Sequence, residues 1–137
     1  MPLKWNGKAV EDQSIRRLSN ALADIGLDIE GEAKQELYKG HGVLTGTLRR
    51  SVHSAEPDYN WPGDNVTPGE GTSELGGQLA TPEQKGRRLV IAVGSGLVYA
   101  LAVHQGHHSF GGYHYLTNAV EKVRPRVKQH VERHKND

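Results

Sequence analysis

The chain has no cysteine and a single phenylalanine in 137 residues. The first absence excludes disulfides and thiolate metal sites, and nothing in it indicates an oxidising compartment. The second leaves a core to be built mainly from Leu, Val, Ile and Ala. Aromatic residues make up 6% and hydrophobic residues 35% of the chain, below the roughly 45–50% usual for globular domains when Gly is counted. A chain so lean in apolar mass is expected to draw stability from neighbouring subunits. No charge of one sign dominates: 17 Lys and Arg stand against 16 Asp and Glu, a formal balance of +1. No strong global field is therefore available to recruit nucleic acid or an anionic membrane. No run approaches the roughly 20 apolar residues that span a bilayer, and Met1 to Asn6 lack the apolar stretch of a signal peptide. The expectation is a single soluble domain spanning residues 1–137, made and used in a cytoplasm.

Catalytic signatures are also lacking. Val93-Gly94-Ser95-Gly96 has the look of a phosphate loop but not the Lys-Ser/Thr that must follow. Ser95 falls one residue short of a Gly-x-Ser-x-Gly nucleophile elbow. No catalytic residue and no cofactor are expected. Four histidines, His104, His107, His108 and His114, fall close together. Imidazole suits zinc, and catalytic zinc sites use three such ligands, so these four are the candidates for a metal. Their spacing matches no metal motif, and the Gly-rich segment around them would not hold ligands rigidly. The alternative is a polar, titratable patch at a subunit surface.

What is present reads as an α+β chain. Ile15, Leu18, Leu22, Ile25, Ile29, Ala33 and Leu37 recur at steps of three and four, predicting one amphipathic helix over residues 12–39. Asp12 is its candidate N-cap and Gly40 its stop. Gly26 and Gly31 mark a bend or a close approach of another element. Leu48 to Glu56 reads as a half-buried strand, and Arg88 to Gly94 as a better one, a β-rich apolar run covered on both faces. A short helix is expected over Leu97–Gln105. A last helix begins near Thr117, with Leu116, Ala119, Val120, Val123, Val127 and Val131 on one face. Pro125 must kink or divide it. From Lys122 on the chain is basic, with Arg124, Arg126, Lys128, Arg133, Lys135, His130 and His134. Three readings fit that run: a solvated face, a phosphate-binding surface, or a patch that meets an acidic loop of an adjacent copy.

The acidic loop in question is residues 57–86. It holds four of the chain's six prolines, and its Asp58, Asp64, Glu70, Glu74 and Glu83 stand against Lys85 alone, a balance of −4. So long an irregular connection is unusual inside a compact domain. It is expected to be mobile, an irregular hairpin, or ordered by a partner. Tyr59 and Trp61 give its first half an apolar foothold.

Two segments remain. One is Leu44-Thr45-Gly46-Thr47-Leu48-Arg49-Arg50-Ser51-Val52; the other is Val93-Gly94-Ser95-Gly96-Leu97-Val98-Tyr99-Ala100, running on to Val103-His104-Gln105-Gly106. Their order, between a long first helix and a closing one, resembles the tail-completion (head-to-tail joining, or neck) proteins of long-tailed bacteriophages. The typical shape there is helix, Thr-Gly-x-Leu-x-x-Ser, a variable stretch, a strand ending in Gly, Tyr-Ala, a further Gly and a helix. The resemblance covers most of the chain except residues 57–86. It implies a long N-terminal helix packed on a small antiparallel sheet, with a kinked C-terminal helix completing the layer. It implies a structural virion protein and not an enzyme. The protein would form a homo-oligomeric, hexameric ring between the head connector and the tail tube protein, assembled in the host cytoplasm and carried in the neck of the virion. DNA would pass through the lumen without specific binding, and no membrane would be involved. On this resemblance, together with the aromatic foothold in the loop, the contact residues would be Thr45, Gly46, Leu48, Arg49, Arg50, Tyr59, Trp61, Tyr99, Ala100, His104 and Gly106. Arg49 and Arg50 read otherwise as a solvated face. Two further classes stay open: a metal-dependent hydrolase or nuclease built on the histidines, and a small DNA-binding regulator using the basic C-terminal helix.

Overall fold

The apolar-striped N-terminal segment forms a single helix, α1, Gly7–Glu36. In the computed structural model the described residues are 7–39, 42–43, 47–61, 76–97, 100–106 and 111–137. After α1 come two-residue strands β1 (Tyr38–Lys39) and β2 (Gly42–Val43), a short helix α2 (Thr47–Ser51) and strand β3 (His53–Ala55). Strands β4 (Glu83–Lys85), β5 (Arg88–Val90) and β6 (Ala92–Gly94) follow. Helices α3 (Ala100–Gln105), α4 (Tyr115–Val123) and α5 (Val127–Arg133) complete the chain, with a turn of 3-10 helix at Arg124–Arg126 between the last two. The α+β architecture expected from the sequence is the one observed: a long first helix, small antiparallel sheets and a divided C-terminal helix. Among the described residues no helix is long and apolar enough to cross a membrane.

Several boundaries differ from expectation. Helix α1 begins before Asp12, which therefore lies inside it and not at its cap, and it ends at Glu36, short of Gly40. Leu48 is helical, and only His53–Ala55 of the expected strand is extended. Leu48 and Val52 are four residues apart, a spacing that puts both on one side of a helical turn, and Ser51 Oγ donates to the Leu48 carbonyl at 2.6 Å. The Arg88–Gly94 run is divided at Ile91, and its halves take different partners. β5 pairs antiparallel with β4, and β6 pairs antiparallel with β3, matching His53 with Gly94 and Ala55 with Ala92. A two-residue turn at Gly86–Arg87 joins β4 to β5, so the last part of the 57–86 segment is a hairpin. The C-terminal helix starts two residues earlier than expected, at Tyr115. Pro125 divides it, as its missing N–H requires.

Burial along α1 follows the predicted stripe only in part. Ala33 and Leu37 are buried as expected, but Leu18 is 48% exposed, and Gly26 and Glu30, which are not on the stripe, are buried. Gly26 faces the sheet: a Cβ there would lie 2.9 Å from Ile91 Cδ1 and 3.5 Å from Ser54 Cβ, so the helix rides close over β3 and the break at Ile91. A Cβ at Gly31 would meet nothing within 4 Å, so that glycine has no such reason. Ala33, Leu37, Leu48, Val52, Ala100, Tyr115 and Ala119 form the core, with Ile29, Val93, Leu97, Val103 and Leu116 packed against it. The Tyr115 hydroxyl donates to the Ala100 carbonyl at 3.1 Å. Burial pushes its pKa up to about 12, so the phenol stays neutral.

The other side of α1 carries Asp24, Asp28, Glu32 and Glu36, one carboxylate every fourth residue. On a helix turning about 100° per residue, this row lies nearly opposite Gly26 and Glu30. The C-terminal segment answers with Lys122, Arg126, His130 and His134, also every fourth residue, running antiparallel. Lys122 Nζ is 2.6 Å from Glu36 and 4.0 Å from Glu32. Arg126 Nη1 lies 2.8 Å from Asp28 and 3.0 Å from Glu32. His130 Nε2 reaches Asp28 at 2.8 Å and His134 Nε2 reaches Asp24 at 2.5 Å. The basic run expected to be solvated, or to meet phosphate or a neighbouring acidic loop, instead has one of its faces paired within the chain. Neighbouring carboxylates accordingly raise the pKa values of Lys122, chiefly through Glu36, and of Arg126, chiefly through Glu32.

Two predictions follow from this packing. Tyr115→Phe should cost about 0.5–1.5 kcal/mol, the loss of one hydrogen bond, whereas Tyr115→Ala should cost about 3–5 kcal/mol through a core cavity; urea unfolding midpoints measure both. Arg126→Glu should lower the midpoint by setting a third carboxylate against Asp28 and Glu32, and Glu32→Arg in the same chain should recover part of the loss. If the double variant is no better than the single, the opposed rows are not coupled.

Candidate functional site

The two sequence segments that carry the resemblance, 40 residues and more apart, meet in space. Leu48 and Val52 from the first share the core with Ala100 from the second, and Val93, Leu97 and Val103 pack against them. Ser51 Oγ and Ser95 Oγ are 2.6 Å apart. Because the Ser51 hydroxyl donates to the Leu48 carbonyl, Ser95 must be the donor between the two. Ser95 Oγ also accepts the Leu97 N–H at 3.2 Å. Both hydroxyls are therefore taken up in joining α2 to the chain leaving β6, a structural use that leaves Ser95 no base to act with.

On the outside of this junction lies an aromatic cluster. His53 on β3, Tyr59 and Trp61 stand with ring centroids 4.8–5.2 Å apart, Tyr59 edge-on to both neighbours. Such contacts each contribute about 0.5–1.5 kcal/mol beyond burial, enough to fix the first residues of the 57–86 segment on the sheet. Beyond Trp61 opens a mostly apolar cavity of about 340 Å³, with Gly94, Leu101, His104 and Tyr115 in its wall. Leu101, on α3, is 64% exposed.

The far end of the same segment is held by Glu30. This carboxylate is 4% exposed and accepts two backbone amides, Ser54 N–H at 2.8 Å and Gly77 N–H at 2.9 Å. One bond satisfies strand β3; the other ties the returning chain to α1. Gly76 has φ +103, and a Cβ there would lie 2.6 Å from the Glu30 carboxylate, so only glycine fits. The described parts of the 57–86 segment are thus anchored at both ends, by rings at 59–61 and by a buried carboxylate at 76–77, with Leu79 left 61% exposed next to them.

His104 serves the start of α4. Its Nε2 accepts the Thr117 N–H at 3.4 Å and lies 3.1 Å from Thr117 Oγ1. His114, in a left-handed conformation at the helix start, makes no capping bond of its own, so His104 supplies one from the neighbouring helix. Burial, with help from the charge of His114 5.5 Å away between ring centroids, lowers the His104 pKa. The neutral ring is the form that can accept an amide.

Of the expected contact residues, Leu48 and Ala100 are in the core and not at the surface. Arg49 is exposed and Arg50 half-buried, both on α2. Tyr59, Trp61 and His104 lie along the aromatic cluster and its cavity, and Gly106 ends α3. Thr45, Gly46 and Tyr99 lie outside the described residues, as do His107 and His108. Among the described residues no group of three His, Cys, Asp or Glu is arranged to hold a metal. Sequence reasoning missed Glu30. Its signal was there: Glu30 falls four residues after Gly26 and three before Ala33, in line with Leu37. Compared with protein-family models, curated proteins and solved structures, the chain matches none.

Glu30→Ala should strand two amides and cost about 2–6 kcal/mol, at about 1–3 each for buried unsatisfied groups. Glu30→Gln, which keeps an acceptor, should cost less. Chemical denaturation of the three proteins measures the ranking, and equal stability of all three would remove the anchoring role.

Proposed function

We propose that this chain is a head-to-tail joining protein of a long-tailed bacteriophage: a ring-forming adaptor between the head connector and the tail tube, working through mating surfaces and not through catalysis. The motif order in the sequence is the first support. The observation that carries the reading is the union of the two motif segments in one packed unit. That unit has an aromatic cluster, an apolar cavity and the exposed Leu101 on its outer side. A large apolar side chain left in water beside an open apolar cavity suits a surface that another protein covers. The ring is the homo-oligomer, and its lumen lets the duplex slide through without sequence-specific contact.

The test is genetic and structural together. In the phage that encodes the chain, its loss should leave filled heads and complete tails that do not join, seen by electron microscopy of lysates. Leu101→Asp should behave the same way while the purified variant keeps its circular dichroism and unfolding midpoint. Normal joined, infective particles in the absence of the protein would refute the proposal, and normal particles with Leu101→Asp would refute the assigned surface.

A further inference from the structure

The last helix is fastened differently from the one before it. α4 is held by buried side chains: Tyr115, Ala119 and Val123 are all within 1% of full burial. α5 is seven residues long, follows the proline break, and buries only His130. Its apolar residues Val127 and Val131 are each 39% exposed. They flank a groove of about 290 Å³ whose other walls include Leu18, Leu22 and Ile25 of α1 and Leu89 of β5. Apolar contact alone therefore secures α5 weakly, and polar contacts must make up the difference.

The most demanding of these is at His134, just past the end of α5. Its Nε2 lies 2.5 Å from Asp24 Oδ2 and its Nδ1 lies 2.6 Å from Asp137 Oδ2. Both partners are carboxylate oxygens, which only accept. A neutral imidazole has one N–H and one lone pair. It can donate to one carboxylate but must turn a lone pair toward the other. Only the imidazolium, with two N–H groups, satisfies both. His130 differs: its Nε2 faces Asp28 and its Nδ1 is buried without a hydrogen-bond partner, so a single N–H serves it. The surroundings of His134 reinforce the clamp. From α1, Asn20 Nδ2 donates to Asp137 Oδ2 at 2.8 Å and Arg17 Nε to the Asp137 carbonyl at 3.1 Å. Arg16 adds positive charge near Asp137. From α5, Arg133 Nη1 lies 3.9 Å from Asp24, while Glu132 and Lys135 pair with each other at 3.6 Å.

We propose that α5 is a pH-released latch: protonated His134 clamps the end of the chain to α1 between Asp24 and Asp137, and loss of that proton frees α5 and opens the apolar face beneath Val127 and Val131. The direction follows from linkage. Its bonds to Asp24 and Asp137 raise the His134 pKa in the docked state. The clamp is complete below the ordinary histidine value and fails as pH rises through the raised docked value. Asp137, lowered by Asn20 and His134, adds its share above the usual carboxylate range and loses it only in acid. The latch is thus shut below the ordinary histidine value and loosens as pH climbs past the raised one.

Amide hydrogen exchange on the full chain tests this, with protection factors corrected for intrinsic rates and α4 as the internal reference. Between about pH 6.5 and the docked value, opening of residues 127–134 should increase about tenfold per pH unit and then level off. Residues 115–123 should change little over the same range. In His134→Gln the pH dependence of α5 should vanish, and in Asp24→Asn, which keeps an acceptor but removes a charge, it should shrink. Two results overturn the proposal: α5 protection that tracks α4 at every pH, or an unchanged pH dependence in either variant. Should His134→Gln fail to fold, Asp24→Asn alone decides the matter.

Discussion

Four carboxylates on the first helix, at 24, 28, 32 and 36, meet four cationic or titratable side chains at 122, 126, 130 and 134. The rest of the structure depends on this opposition of two rows. Individually such pairs are weak, since Lys122 and Arg126 keep 49% and 41% of their side-chain surface in water. Collectively they decide which face of α1 receives the C-terminal helices. A slip of one helical turn would still leave three of the four pairs matched. Charge therefore selects the face, and the buried Tyr115, Ala119 and Val123 select the position along it. Ala33 and Ala119, both fully buried, belong to the core shared by the two helices.

With that face committed, the opposite face of α1 is free to organise the strands. Gly26 lets Ile91 and Ser54 come close, and Glu30 reaches across to the amides of Ser54 and Gly77. A buried carboxylate needs such partners, because leaving it unpaired would be far more costly than leaving it exposed. The consequence reaches the surface. The long Pro- and Gly-rich segment is pinned where it leaves and where it returns, and its flanks present the His53–Tyr59–Trp61 cluster and Leu79. The exposed apolar surface around Trp61 and Leu79 is an outgrowth of these two anchors. The pH-sensitive end at His134 grows from the same carboxylate row that fixes the helices.

Much of this was legible in the residues. The 3.6 period announced α1, Pro125 announced the division of the last helix, and the apolar run at 88–94 announced extended chain, though not its division at Ile91. Tyr59 and Trp61 were recognisable as a foothold. Other features were misread for identifiable reasons. The Leu48–Glu56 segment reads as a strand, although the four-residue step from Leu48 to Val52 is a helical interval. Leu48 and Ala100 were placed at a contact surface and are core. The basic residues of the last helix fit a solvated face, phosphate or an adjacent copy, because nothing local reports a carboxylate row roughly a hundred residues away. The acidic members of α1 can be seen one by one in the sequence, but not as a row with a mate.

The sequence by itself determined the long first helix, the division of the last one, the cysteine-free chemistry and the near balance of charge, since these follow from local periodicity, the steric limits of Pro125 and composition. Only the tertiary structure decided which helix face is buried, which charges are spent within the chain and where Glu30 and His134 find their partners. Those are pairings between distant residues, and their strength comes from desolvation and geometry that exist only once the chain has closed on itself.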